Sequence, residues 1–200
     1  MPPNRFLLLV YRAGGRATTH RVAIWRLLKK AGAVYLQQSV CVVPDRPVVR
    51  HALNPILERI RVSGGEYHLL PLRRLPAEEE DKIVGEFRAQ TSKQYAEIIE
   101  NCEVNFQKEI EFETFRQNFT YEEAEEIRIE YEKIVDWHRR VRERDWFEAD
   151  RAADVDEWVR RCEHLLEAFE AQVYRVQHEA KGERLSKPEV RAIAAAAQEA

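Results

Sequence analysis

Arg12, Arg16, His20, Arg21, Arg26, Lys29, Lys30, Arg46 and Arg50 form the densest set of ligand-capable side chains in this sequence. Arg12 and Arg16 flank Gly14-Gly15 just ahead of a predicted helix N-terminus, where backbone N–H groups favour an anion. Phosphate contacts from such a set give sequence-independent affinity that falls with salt. The Arg12/Arg16/Arg21 surroundings also suit a tetrahedral oxyanion, which guanidinium groups meet with paired donors. No helix-turn-helix, zinc-finger or aromatic RNA-binding signature accompanies the cluster. The competing reading is a solvated basic face, or a basic partner for acidic segments of the same chain.

Other chemistries find less support. Glu97, Glu100, Cys102, Asp136, His138, Cys162, Glu163 and His164 are the available metal donors, but the Glu-x-x-His pairs of di-iron bundles are missing. Cys102 and Cys162 fall on apolar helical stripes and read as core residues. His138 and His164 stand beside large apolar residues and read as partners at the core edge. No phosphate loop of Walker or Rossmann form occurs, and no G-x-S-x-G or Cys/His dyad has a recognisable context. Trp25, Trp137, Trp146 and Trp158 read as packing anchors. The expectation is a protein without cofactor, metal or catalytic group.

The net charge of −3 conceals an asymmetry. Residues 1–75 carry thirteen Lys and Arg against Asp45, Glu58 and Glu66, a balance of +10, leaving −13 for the rest. That shift predicts a boundary near Pro76: a basic domain over residues 1–76, an acidic one over 77–180, and a polar, Ala-rich tail over 181–200. No apolar run approaches the roughly 20 residues of a membrane span. The five apolar residues after Arg5 are too few for a signal-peptide core. The three cysteines lie far apart with no CxxC pair, so a cytoplasmic protein without disulfide framework or zinc knuckle is expected.

The first domain reads as β-α-β-β-α-β. Residues 6–11 (FLLLVY) form a continuous apolar run, the mark of a buried strand. Thr18 or Thr19 caps a helix to about Ala31 with Val22, Ile24, Trp25 and Leu28 as its apolar face. Residues 33–44 read either as two strands around a very tight reversal or as one kinked strand. A helix to about Val62 places Val49, Leu53, Ile56, Leu57 and Ile60 on one face, with Pro55 either opening it or kinking it. Residues 66–72 return as a strand, completing the order of a ferredoxin-like split βαβ fold. Beyond Pro76 helical spacing takes over: residues 78–115 with a weak patch at 90–94, a helix opened by the Thr120/Glu123 capping box, and a third over 152–178. Short connections imply an antiparallel three-helix bundle, so the fold class is α+β.

The stretch HRVAIWRLLKKAGAVYLQQSVCVVP (residues 20–44), preceded by LLLVYR and followed by GGE, resembles the N-terminal domain of the ChrB chromate-resistance family. FTYEEAEEI (119–127) and RDWF (144–147) fit the same domain, so the resemblance spans about residues 5–178. The first stretch is also similar to the ferredoxin-like domains of CRISPR-associated endonucleases and phenylacetate-catabolism repressors. Such nucleases hold a metal-binding aspartate at the end of their first strand. Here that strand ends Val10-Tyr11-Arg12, and a basic strand end repels a cation, which argues against nuclease activity.

The ChrB resemblance implies a regulatory role linked to chromate, with DNA as the expected partner. The sequence ends where a second, C-terminal chromate-resistance domain is expected, which puts in question any family property that depends on that domain, chromate sensing included. The alternative is a protein-interaction or sensory module whose sheet pairs with another copy and whose bundle docks a separate C-terminal ChrB-type protein, without DNA or membrane contact.

Overall fold

The computed structural model describes residues 6–14 and 18–180. The chain divides into two compact units, Met1–Gln90 and Thr91–Ala200.

The first unit runs β1 (Phe6–Arg12), α1 (Thr18–Lys30), β2 (Val34–Gln37), β3 (Val40–Pro44), α2 (Pro47–Val62), β4 (Glu66–Leu72) and the first half of α3 (Ala77–Glu100). The strand order is β2-β3-β1-β4, with β1 antiparallel to both β3 and β4, so each βαβ unit is split by one intervening strand. Residues 34–44 resolve into two strands reversing at Gln38-Ser39, where Ser39 takes φ 64. A bulge between Tyr35 and Gln37 interrupts the β2–β3 ladder. Phe6, Leu7 and Leu9 of β1, Val42 and Val43 of β3, and Leu53 and Ile60 of α2 are fully buried. The predicted α2 stripe is buried at all five positions; Pro47 opens the helix at N1 and Pro55 lies inside it.

One sequence expectation needs correction here. On α1 only Ile24 and Leu28 are buried, whereas Val22 and Trp25 are 37% and 46% exposed. Ile24 and Leu28, four apart, share one direction, while Trp25 and Val22 are turned about 100° and 160° away from Ile24. Trp25 is therefore not a packing anchor. The composition changes at Pro76, one residue ahead of α3, and the first compact unit extends through the first half of that helix to Gln90. The reason is the first turns of α3: Phe87 is buried and stacks on Phe6 of β1 at 6.1 Å and 9°.

The second unit comprises the rest of α3, a π-helical segment (Asn101–Phe106), α4 (Gln107–Phe115), α5 (Tyr121–Arg142) and α6 (Ala152–Ala180). The helical break falls in the π segment, not in the 90–94 patch, where Thr91 is buried and Gln94 accepts from Arg144 at 3.1 Å. The inward stripe Tyr95, Ile98, Cys102, Phe106, Ile110 contains three consecutive four-residue steps. In an α-helix each such step drifts by about 40°. One wider turn takes up that drift and keeps Cys102 and Phe106 inward. The capping box forms as read: Thr120 Oγ1 accepts from the Glu123 N–H at 3.2 Å. Trp137 and Trp158 pack against the core. Trp146 is half-buried, and its Nε1 has no hydrogen-bond partner.

Candidate functional site

The side chains of the basic set in the sheet unit differ in their surroundings. Arg12 ends β1 opposite Glu66 of β4 and pairs with it at 3.2 Å, so the strand end has a carboxylate neighbour that the linear sequence conceals. Arg50 holds Asp45 in a bidentate fork through Nε and Nη2. Lys29 is half-buried; its ammonium donates to Gln90 Oε1 and lies 5.8 Å from the centre of the Tyr35 ring. The Tyr35 hydroxyl in turn shares a 2.9 Å hydrogen bond with Tyr11. Arg16 lies outside the described residues, as does the cap position ahead of Thr18.

His20, Arg21, Arg26, Lys30 and Arg46 are exposed. Among the described residues no carboxylate forms an ion pair with Arg21, Arg26 or Arg46. Helix α1 (TTHRVAIWRLLKK) contains no acidic residue at all. Arg26 and Lys30, one turn apart, share its outer face with Val22, and Trp25 and Arg21 stand beside them. The structure thus gathers part of the basic set onto one helix and removes Arg12, Lys29 and Arg50 from it. Trp25, read as core from its apolar character, joins the surface instead. Its signal was the basic neighbours at positions 21, 26, 29 and 30.

No activated nucleophile accompanies this surface among the described residues. Burial pushes the Cys41 thiol up to about 12, so it stays protonated at neutral pH. In the helical unit Cys102 and Cys162 are fully buried and hydrogen-bonded to each other, as the core reading requires. That shared hydrogen bond and burial hold the Cys162 thiol protonated. His138 is half-buried with Nε2 2.8 Å from Asp156 Oδ1, out of line for a hydrogen bond, whereas His164 is exposed rather than at the core edge. Among the described residues no three of the metal donors read from sequence converge. Glu109, Glu113 and Glu123 do, with ligand atoms within 4.8 Å of one another. Glu113 is only 3% exposed and is satisfied by Asn118 at 2.6 Å and Arg116 at 3.1 Å. Its inward position follows from lying three residues beyond Ile110 on the same stripe.

Glu123 shares Asn118 with Glu113. Burial, then the charges of Glu113, Glu126 and Glu109, push its carboxyl up. A carboxyl raised in the folded state costs stability once ionised, and the cost vanishes below the unfolded carboxylate range. Glu123→Gln is therefore expected to raise the unfolding free energy measured in urea at pH 7, by less than about 1 kcal/mol. That gain should disappear as the pH falls below about 4.

The family model for the N-terminal region of protein ChrB matches residues 21–180. Comparison with curated proteins finds no match. The matched span runs from within α1 to the end of α6 and so draws on both compact units. By that match over most of its length, the chain belongs to the ChrB N-terminal family.

Proposed function

We propose that this chain is a regulatory nucleic-acid-binding protein linked to chromate resistance, with the outer face of α1 as its contact surface. One observation carries the reading: Arg21, Arg26 and Lys30 are exposed beside Trp25 on a helix that contains no carboxylate. Arginines without acidic neighbours keep their guanidinium donors for phosphate oxygens, and neutralising phosphates releases counterions. Trp25 offers a flat apolar surface beside those donors. Arg12 and Arg50, held by Glu66 and Asp45, contribute to the surrounding field more than to direct contact.

Binding of this kind needs no cofactor and no bond-breaking step, and hydrolysis forms no part of the proposal. A fluorescein-labelled DNA duplex titrated at low ionic strength provides the test. Saturable binding that weakens with added chloride is expected, with phosphate competing no better than chloride at matched ionic strength. Absence of binding at low salt contradicts the proposal. Preferential competition by phosphate would point instead to a pocket for a single tetrahedral oxyanion.

A further inference from the structure

The two edges of the sheet are unequal. β2 is four residues long and bulged, two devices that blunt an edge. β4 (EYHLLPL) runs seven residues in unbroken register along β1, and its outer side pairs with no strand among the described residues.

The direction of its backbone groups follows from two observations. The Tyr11 N–H donates to Ser39 O at 2.9 Å, on the β3 side of β1. Tyr11 and its β4 partner Tyr67 therefore form a non-hydrogen-bonded pair, and Tyr67 directs its N–H and C=O away from β1. Alternation puts Leu69 and Pro71 in the same orientation. Pro71 has no N–H to offer, and an outward position is where a strand tolerates proline. The outer edge thus presents two donors, Tyr67 and Leu69, and three acceptors, Tyr67, Leu69 and Pro71.

We infer that this edge pairs antiparallel with β4 of a second copy of the chain, centred on Leu69. In that register Leu69 faces Leu69 of the other copy and the two exchange N–H and C=O bonds. Tyr67 faces Pro71, so each Tyr67 N–H finds a Pro71 carbonyl. All outward donors are used, and the missing N–H of Pro71 falls where no acceptor depends on it. Tyr67, 37% exposed, packs on proline, and Leu70, 48% exposed, meets His68 directly and the other Leu70 diagonally. Charge selects the antiparallel sense. β4 begins with Glu66 and is followed by Arg73 and Arg74, for which no ion pair occurs among the described residues. Antiparallel pairing sets Glu66 opposite Leu72 and diagonal to Arg74 of the other copy, within reach of its long side chain. Parallel pairing would stack like charges.

Sedimentation equilibrium of the full chain, from micromolar to submillimolar concentration, tests the inference. A monomer–dimer equilibrium is expected for the wild type. Leu69→Pro removes an outward N–H at a position where proline fits the edge, and should weaken association at least about tenfold with an unchanged thermal midpoint. Arg74→Glu should weaken it as well, and adding Glu66→Arg should restore it, a rescue that does not depend on how Leu69→Pro folds. A wild type that stays monomeric throughout overturns the inference. So does a dimer that is indifferent to Leu69→Pro in a folded variant, or to the charge reversals.

Discussion

Gly14→Ala is expected to unfold the sheet unit, or to cost it more than about 3 kcal/mol. A Cβ at Gly14 would lie 1.9 Å from Ser63 O and 2.5 Å from the Gly65 amide nitrogen, all backbone that no rotamer change can move aside. The reciprocal site behaves alike: a Cβ at Gly65 would meet Arg12 O at 2.3 Å. This crossing pins the end of β1 to the turn between α2 and β4, and so fixes the strand end from which the chain leaves towards α1. Gly85→Ala supplies the opposite sign. Gly85 lies inside α3, and a methyl added there would have no atom within 4 Å, so alanine should stabilise by about 0.5–1 kcal/mol. Urea denaturation of the three variants checks the order; a Gly14→Ala protein as stable as the wild type would mean that the crossing is not as close as described.

Arg21→Ala combined with Arg26→Ala is expected to weaken duplex DNA binding by about 10- to 100-fold at low salt. Both side chains are exposed and neither pairs with a carboxylate among the described residues, so the substitution leaves the fold intact and removes two phosphate donors. Arg12→Ala should have a much smaller effect, because that guanidinium already faces Glu66. Equal thermal midpoints for wild type and double variant, measured alongside the binding isotherms, separate lost contact from lost structure.

Much of the architecture is legible where periodicity and burial coincide. The α2 stripe from Val49 to Ile60, the return strand at Glu66–Leu72 and the Thr120 cap each rest on local spacing, and local spacing survives folding. Trp25 misleads because an apolar side chain says nothing about its own direction; only its angular distance from Ile24 and Leu28 reveals exposure. The π segment is encoded in the stripe's repeated four-residue steps, which read as ordinary helix unless their drift is summed. The basic cluster is least legible. Asp45 with Arg50, and Glu66 with Arg12, are acceptors near and far in sequence that only the folded chain sets against their arginines. Charge counting therefore overstates the open basic surface, and of the predicted set it is α1, which lacks acidic residues, together with Arg46 that keeps its exposed cations. Glu113 shows the same limit from the other side: a carboxylate on a core stripe is tolerated because Asn118 and Arg116 reach it.

The salt dependence of duplex binding tests the role of α1 most directly. Each phosphate contact contributes a slope of about 0.9 to log affinity against log salt. Fluorescence anisotropy across a chloride series should give the Arg21→Ala/Arg26→Ala variant a slope shallower than the wild type by nearly two. Identical slopes and affinities in the two proteins, or no binding by the wild type at low salt, would contradict α1 as the nucleic-acid contact.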